Sequence, residues 1–502
     1  MYATKENFVG IRTMLTMAVC AATALTGGVA VAAPGGAHTG TAGGTAGTTV
    51  REDFNGDGYQ DVVVGSPNAT VDGQLYAGHL TFAYGSARGL GTARTTIIDQ
   101  NTPGVPGDAG EGHGLGFEMI PADLDHDGLT DLALYSNESL PELNNYGSVI
   151  ILWGRTGGMT GEGAVRVPGP ESGEMGNNLI GGDFNGDGHA DLMMAHGSQD
   201  EYFDQRSVLY GPFNRSGEPA REQFVPMFTS DSRMGKPAVG DFNGDGIDDL
   251  ITFYGWEGNV EGTRLWLGTR QGLSTTYTRL PSGRVPTVGD FDNDGKDDLA
   301  LRLVPNGNED DYPTDPGTIR ILYGSASGPG ATRSRIITQD TAGVPGVSEK
   351  GDQFGAQLSA GDVNGDGYDD LAVGVPYEAL GSTAGAGAVV LLKGGPGGLS
   401  GTGAKSFHQD TTGMPGVAEK GDHFGDSVRL LDVTGDGKAE LTAGAPDENL
   451  EAVADGGAVW SLRGTSTGLT TTGALAFNPV DLGIPAKKTR FGLTLSEPGV
   501  GN

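Results

Sequence analysis

The sequence predicts an all-β protein in which one supersecondary unit is repeated seven times. Three observations support this: an acidic nine-residue motif recurs seven times, a short apolar run follows each copy, and a Gly-rich turn ends the next apolar run. The motif starts at residues 53, 123, 183, 241, 290, 362 and 432. The apolar runs in one such unit predict about four short strands, which is the content of a propeller blade.

The first 32 residues are predicted to be a secretory signal peptide. Lys5 and Arg12 precede an apolar stretch that ends in small residues at 30–32. Residues 33–49, rich in Gly, Thr and Ala, have the composition of a flexible linker, and the repeats occupy residues 50–502. No later segment reaches the roughly 18 apolar residues that span a bilayer, so we expect a secreted, extracellular protein without membrane insertion.

The formal net charge of −33 arises from 64 acidic and 31 basic side chains. A field of this sign repels nucleic acid and anionic membranes, so we expect neither as a partner. Positions 1, 3, 5 and 9 of the seven motifs hold 23 of the carboxylates, and seven bound dications would offset 14 negative charges. Much of the acidity is therefore explained as ligands for a hard cation.

The spacing of the motif fits calcium, which takes six to eight oxygen ligands. In the fourth copy, DFNGDGIDD, alternate residues present oxygens, and Gly244 and Gly246 lie where the chain must bend tightly at positive φ. An EF-hand is excluded because position 12 of the motif is never acidic and short apolar runs, not helices, follow. We therefore expect a calcium loop that joins two strands.

The seven motifs, here called loops 1 to 7 in chain order, predict up to seven calcium ions held by the same five positions. Position 1 supplies Asp53, Asp123, Asp183, Asp241, Asp290, Asp362 and Asp432. Position 3 supplies Asn55, Asp125, Asn185, Asn243, Asp292, Asn364 and Thr434. Position 5 supplies Asp57, Asp127, Asp187, Asp245, Asp294, Asp366 and Asp436. Position 7 supplies the backbone carbonyls of Tyr59, Leu129, His189, Ile247, Lys296, Tyr368 and Lys438. Position 9 supplies Asp61, Asp131, Asp191, Asp249, Asp298, Asp370 and Glu440.

The loops differ in charge. Loops 2 and 5 offer four carboxylates each and should bind calcium best. Loop 7, with Thr434 at position 3 and Glu440 at position 9, should be the weakest.

Further landmarks recur in phase with the loops. Pairs such as Phe354-Gly355 and Phe424-Gly425 precede a loop, and G-x-P triplets follow loops 1, 6 and 7 at 65–67, 374–376 and 444–446. In this order the chain resembles the FG-GAP repeat of integrin α-subunit propellers and of related secreted bacterial proteins. The resemblance covers residues 50–502. It implies a seven-bladed β-propeller with calcium held between the first and second strands of each blade. Repeats 2 to 5 depart from GAP, and repeat 5 has GRV in place of FG.

The two ends of the repeat region predict how the ring closes. RFGLTL at 490–495 carries an FG signal with no loop after it, while loop 1 has no FG before it. We therefore expect 490–495 to complete the first blade, which would remove an open strand edge.

The sequence leaves the biological role open between two classes. The predicted loops between second and third strands mix acids with aromatic residues that could grip a sugar ring or a cationic partner, namely Tyr202, Trp256, Tyr312 and Tyr377. A solvated acidic rim explains the same residues equally well. Because no catalytic set converges, we expect a monomeric binding or adhesion module with structural calcium and an unknown protein or carbohydrate ligand. The alternative is a carbohydrate-active enzyme, a lyase or hydrolase, that uses this acidic and aromatic face.

Overall fold

The structure, a computed structural model, describes residues 52–140, 145–167, 173–175, 179–197, 205–225, 236–256, 259–304, 314–450 and 453–496. The predicted signal peptide and linker lie outside these residues. The described part of the chain contains strands and no α-helix, and hence no helix long and apolar enough to cross a bilayer.

The strands form seven antiparallel blades, numbered like the loops. Blade 1 contains β1 (Val62–Ser66), β2 (His79–Ala83) and β3 (Thr95–Ile98), and blade 2 contains β4 (Met119–Ala122), β5 (Asp131–Leu140), β6 (Asn145–Leu152) and β7 (Val165–Arg166). Blade 3 contains β8 (Gly173–Met175), β9 (Ile180–Gly182), β10 (Asp191–Gly197), β11 (Gln205–Tyr210) and β12 (Arg221–Val225). Blade 4 contains β13 (Ala238–Gly240), β14 (Asp249–Trp256), β15 (Asn259–Trp266) and β16 (Tyr277–Leu280).

The remaining blades have the same four-stranded order. Blade 5 contains β17 (Arg284–Gly289), β18 (Asp298–Arg302), β19 (Ile319–Leu322) and β20 (Ser334–Ile337). Blade 6 contains β21 (Gln357–Gly361), β22 (Asp370–Val375), β23 (Ala388–Lys393) and β24 (Ser400–Phe407). Blade 7 contains β25 (Ser427–Leu431), β26 (Glu440–Ala445), β27 (Ala458–Arg463) and β28 (Thr470–Phe477), and the last strand is β29 (Thr494–Leu495).

The ends of the repeat region meet in blade 1. Strand β29 pairs antiparallel with β1, with Leu495 opposite Val64, and stands as the first strand of that blade. The first strands of successive blades are neighbours from β4 through β9, β13, β17, β21 and β25 to β29. A buried ion pair between Glu52 and Arg429 of β25 also joins blade 1 to blade 7. The seven blades therefore form a closed ring.

The hydrophobic core lies between blades. Among the described residues, seven buried clusters each combine side chains of two adjacent blades, including one between blades 7 and 1 that contains Val62, Val64, Leu431 and Val459. Position 2 of every loop contributes a fully buried side chain: Phe54, Leu124, Phe184, Phe242, Phe291, Val363 and Val433. Because one blade cannot bury both of its faces alone, its stability depends on its neighbours.

The glycines of the two landmark motifs touch across the blade boundary. A Cβ added to Gly444, in the G-x-P triplet of blade 7, would lie 2.2 Å from the carbonyl oxygen of Gly492, the FG glycine that follows. Gly374 approaches Gly425 at the same distance, and Gly65 approaches Gly116 at 2.1 Å. The FG glycines themselves have positive φ, as at Gly425 with 89°. Close backbone approach is therefore why both motifs carry glycine.

Blades 2 and 3 share one continuous sheet, which the repeat pattern did not indicate. The FG segment of one blade pairs in parallel with the preceding blade, through single bridges such as that between Gly387 and Phe424. Between blades 2 and 3 this pairing extends to two residue pairs, because β8 pairs in parallel with β6 and antiparallel with β10. Strand β8 therefore joins the two blades.

We expect Gly444→Ala to lower the free energy of unfolding by about 1 to 3 kcal/mol, because the new methyl group overpacks against a backbone carbonyl. Gly397→Ala is the matched control: Gly397 has open space around it and no positive φ, so its substitution should leave stability within about 0.5 kcal/mol. Urea unfolding followed by intrinsic fluorescence measures both. Equal unfolding midpoints for the two variants would contradict the close approach.

Candidate metal-binding loops

The loops have the tight backbone that the motif predicts. In blades 2 to 7 each loop joins the first strand to the second, and loop 1 leads into β1. Gly244 and Gly246 have φ of 75° and 79°, which confirms the positive φ expected there. Positions 4 and 6 are positive in all seven loops, even where position 4 is His126 (59°) or Asn293 (52°). The fold of the loop therefore persists without glycine at position 4.

The aspartate at position 1 supports the loop from inside. In all seven loops one of its oxygens accepts the backbone N–H of position 5 at 3.0–3.3 Å, and the other accepts that of position 6 at 2.7–2.9 Å. In loops 1 to 6 the aspartate at position 5 accepts the N–H of position 7 at 3.0–3.2 Å. These bonds fix the curvature of the loop and leave further lone pairs on the carboxylates.

The acid at position 9 has a structural role that its spacing does not reveal. It is at most 1% exposed in every loop. One of its oxygens accepts the N–H of the glycine that follows the third strand of the same blade, as from Gly154 to Asp131 at 2.7 Å. In five loops the other accepts the N–H of position 2, as from Leu124 to Asp131 at 2.9 Å. Position 9 thus ties the loop to the third strand.

Loops 2 and 5 each contain a carboxylate oxygen that is buried and has no hydrogen-bond partner. The acids Asp123, Asp125 and Asp127 form a cluster whose oxygens lie within 4.8 Å of one another, as do Asp290, Asp292 and Asp294. At position 3 of both clusters, Oδ2 is paired with an arginine, Arg215 for Asp125 and Arg333 for Asp292. Oδ1 of both residues is the buried oxygen without a partner. A buried carboxylate oxygen in this state needs a donor or a cation, so the residues present fit a hard metal ion.

Burial opposes the ionised form of several of these acids. Desolvation raises the pKa of Asp61, Asp131, Asp191, Asp249 and Asp298, the position-9 acids of loops 1 to 5, to about 8. It raises the pKa of Asp370 to about 6 and that of Glu440 to about 7. In loop 2, burial also raises the pKa of Asp123 and Asp125. A positive charge inside each loop would favour the ionised forms.

The face at the other end of the strands contains one described aromatic candidate with defined surroundings. Tyr202 and Tyr312 lie outside the described residues, and Trp256 ends β14, where it pairs with Asn259. Tyr377, just after β22, is 43% exposed, and its ring centroid lies 4.6 Å from that of His423 in the next blade.

Tyr377 belongs to a cluster that also contains His423, Asp447 and Arg490, here called the blade 6–7 cluster. Nδ1 of His423 lies 2.7 Å from Oδ2 of Asp447, and Nε of Arg490 lies 2.8 Å from Oδ1. Burial raises the pKa of Asp447, but the His423 hydrogen bond and the Arg490 charge outweigh it and hold that pKa below its ordinary value. The ionised Asp447 therefore accepts from Nδ1, so Nε2 is the ring nitrogen that Asp447 does not hold.

Sequence reasoning singled out Tyr377 but missed its three partners. A signal was present in the repeat itself: Tyr377 and Asp447 each follow a G-x-P triplet, and His423 and Arg490 each precede an FG pair. Since these two positions of neighbouring blades meet, aligning the repeats would have brought the four residues together.

Known proteins show the same repeats. The FG-GAP repeat family matches residues 43–78, 236–268, 354–392 and 424–462, and the FG-GAP-like repeat family matches residues 123–194. Integrin alpha-E of Mus musculus is 34% identical over 115 residues, which cover 22% of this chain and 9% of the integrin. Phosphatidylinositol-glycan-specific phospholipase D of Bos taurus is 26% identical over 175 residues, which cover 34% of this chain and 21% of that protein. The chain thus spans less than a quarter of the length of either relative.

Two of the solved structures that the chain matches are rhamnogalacturonan lyases. The PL11 lyase of Bacillus licheniformis has a TM-score of 0.28 at 13% identity, with 72% of each chain covered. The lyase YesW has a TM-score of 0.31 at 13% identity, covering 79% of this chain and 85% of the lyase. A likeness of this size carries no information about function.

We expect Asp131→Ala to destabilise the protein by about 2 to 4 kcal/mol even without calcium, because Leu124 and Gly154 lose the acceptor for two buried N–H groups. The matched control is Asp127→Ala in the same loop, which removes an exposed carboxylate and should cost less than about 1 kcal/mol. Urea unfolding in excess chelator measures both. A similar loss in the two variants would rule out the bridging role of position 9.

Proposed function

Because this chain is an FG-GAP repeat protein that folds as an integrin-like seven-bladed propeller, we propose that it is a secreted, calcium-stabilised binding or adhesion module. Calcium is structural in this proposal, bound in the seven loops, and the ligand is a protein or a carbohydrate recognised at the opposite face. The apolar run that ends at residues 30–32 supports export by a signal peptide.

The observation that carries the calcium proposal is the pair of buried, unpartnered oxygens on Asp125 and Asp292. Each lies in a cluster of three carboxylates whose remaining oxygens are held by arginine, by Lys296 or by the backbone of the loop. Oxygen-only surroundings with several carboxylates suit calcium better than softer metals. The five-position pattern extends the same proposal to the other loops.

Removal of calcium by a chelator should lower the melting temperature, and added calcium should restore it. Each site held at about 100 times its Kd adds about 2.7 kcal/mol to the free energy of unfolding. Extracellular sites often have Kd values of about 10⁻⁴ to 10⁻³ M, so the titration should extend to about 10 mM calcium. Differential scanning calorimetry measures the shift.

The matched variant is Asp125→Asn combined with Asp292→Asn, which keeps the shape of both side chains but removes their charge. The substitutions give loops 2 and 5 the position-3 amide that loops 1, 3, 4 and 6 already have, so native mass spectrometry should show these two sites filling at a higher free calcium concentration than in the unmodified protein. A melting curve of the unmodified protein that is identical with calcium and with chelator would refute the structural role.

The candidate ligand surface is the blade 6–7 cluster. Tyr377 offers an exposed ring for stacking on a sugar or a cation, and His423 and Arg490 add polar groups beside it. Tyr202, Trp256 and Tyr312 extend the proposed surface to the other blades on sequence grounds.

A second candidate function rests on the pair formed by His423 and Asp447. A histidine whose Nδ1 is held by an ionised carboxylate presents Nε2 as a proton acceptor, which is the arrangement of a general base. With the ring of Tyr377 as a platform, such a base could serve a carbohydrate-active lyase or hydrolase. In that case the same face would both bind and turn over a glycan.

A glycan array followed by a product assay separates the two candidates. We expect Tyr377→Ala to weaken binding to any glycan that the unmodified protein retains, by at least about tenfold, because one stacking platform is lost. The control is Phe224→Ala, which removes a comparably exposed ring from the outer strand β12 and should leave binding unchanged.

Binding without turnover supports the module, whereas turnover that His423→Gln abolishes supports the enzyme. Equal glycan binding by the Tyr377→Ala variant would exclude this cluster as the glycan site.

A further inference from the structure

At six of the seven blade boundaries consecutive loops are hydrogen-bonded to each other through position 8, which lies outside the proposed ligand set. In loop 5 this residue is Asp297, and its Oδ2 accepts the backbone N–H of Asp241, position 1 of loop 4, at 2.8 Å. The backbone N–H of Asp297 in turn donates to the carbonyl of Asp241 at 3.1 Å. Two reciprocal bonds thus fix the backbone of a proposed calcium ligand from the following blade.

The same reciprocal pair occurs at three further blade boundaries. It joins Asp248 to Asp183, Asp369 to Asp290, and Thr130 to Asp53, with the side-chain bond at 2.8, 3.0 and 3.1 Å respectively. At the boundary where the ring closes, Oε1 of Gln60 accepts the N–H of Asp432 at 2.9 Å. Acid, hydroxyl and amide side chains therefore supply the same acceptor.

Two boundaries lack this acceptor and provide an internal comparison. Position 8 of loop 3, which faces loop 2, is Ala190, and position 8 of loop 7, which faces loop 6, is Ala439. Ala439 keeps the backbone bond to the carbonyl of Asp362, at 2.8 Å. A Cβ built on Gly361 would lie 3.3 Å from the Cβ of Ala439, and one on Gly240 would lie 3.2 Å from that of Asp297. The backbones of loops 6 and 7 therefore meet without the acceptor in the same way as those of loops 4 and 5 do with it.

Other contacts also join each loop to the loop that follows it in the chain. A Cβ on Gly186, position 4 of loop 3, would lie 2.7 Å from Ile247, position 7 of loop 4. The rings of His126 and His189, at the same two positions of loops 2 and 3, are 4.6 Å apart. Position 7 provides a proposed ligand carbonyl. Position 4 of one loop therefore contacts a residue of the proposed ion site in the following loop.

We propose that position 8 is a positioning residue for the calcium site of the preceding loop, so that at five of the seven boundaries a site depends on a side chain of the loop that follows it. The proposal rests on the calcium function proposed above. The carboxylate of position 1 organises its loop and would also be a ligand of the ion, and both roles require that its backbone is held in place. Outer partners of this kind typically change metal affinity by about 10 to 100-fold.

The test uses the full chain with calcium alone as the probe. Asp297→Ala should weaken one calcium site by about tenfold, and Asp297→Asn, which keeps an oxygen acceptor for the Asp241 N–H, should restore the affinity to within about threefold of the unmodified protein. Isothermal titration calorimetry gives the affinities, and native mass spectrometry at stepped free calcium counts the bound ions.

A double-mutant cycle locates the affected site. In an Asp241→Ala background, where loop 4 has lost its own ligand, Asp297→Ala should have no further effect on calcium binding. In an Asp290→Ala background, where loop 5 has lost its ligand, the effect of Asp297→Ala should persist. The opposite pattern would show that Asp297 acts on its own loop and would overturn the proposal.

A gain-of-affinity variant keeps the test decisive if Asp297→Ala does not fold. Ala439→Asp places an acceptor where the backbones already match, and should tighten the loop 6 site several-fold. Unmodified protein that binds no calcium would overturn the proposed function and this coupling with it. Calcium binding of equal strength in the unmodified protein, the folded Asp297→Ala variant and the Ala439→Asp variant would overturn the coupling alone.

Discussion

The buried carboxylate at position 9 is the interaction on which each blade depends. It accepts an N–H from the glycine that follows the third strand of its blade and, in most loops, one from its own loop, so a single group fixes the loop and two strands. The same burial raises its pKa, because a charged carboxylate loses its hydration inside the protein. The residue that organises the hairpin therefore also creates the need for a nearby positive charge, which a cation in the loop would supply.

Repetition in this protein does not make the units independent. The loops are completed by the blade that follows them, through the position-8 bonds, through a turn that donates to the carbonyl of position 2, as from Ser325 to Phe242 at 3.1 Å, or through both. Loop 7 obtains its partner from Gln60 of blade 1, and blade 1 obtains its first strand from β29. In an open array of repeats the terminal units lack a neighbour, whereas in this ring every unit has two.

The sequence predicted the loops, the repeated blades and the strand that completes blade 1, but it missed most of the contacts between blades. Loop positions, the second strand after each loop and the positive φ of Gly244 follow from local spacing and residue type. The FG and G-x-P glycines could be seen as markers, but the 2.2 Å approach that requires them joins residues about 50 apart in the chain. Position 8 was hidden for a further reason: Asp, Thr and Gln all supply its acceptor, so no single residue type recurs.

The proposed ion sites and the proposed ligand surface are connected by single strands. In blade 6 the position-9 acid Asp370 begins β22, and Tyr377 follows the end of that strand; in blade 7, Glu440 and Asp447 are related in the same way. Both strands are buried along their whole length, so a loop fixed at one end of a strand sets the position, along the strand axis, of the residue at the other end. Loop 7 is the loop expected to bind calcium most weakly, yet Asp447 is also held by His423 and Arg490. The geometry of the blade 6–7 cluster therefore rests on direct contacts across blades as well as on the loops at the other end of these strands.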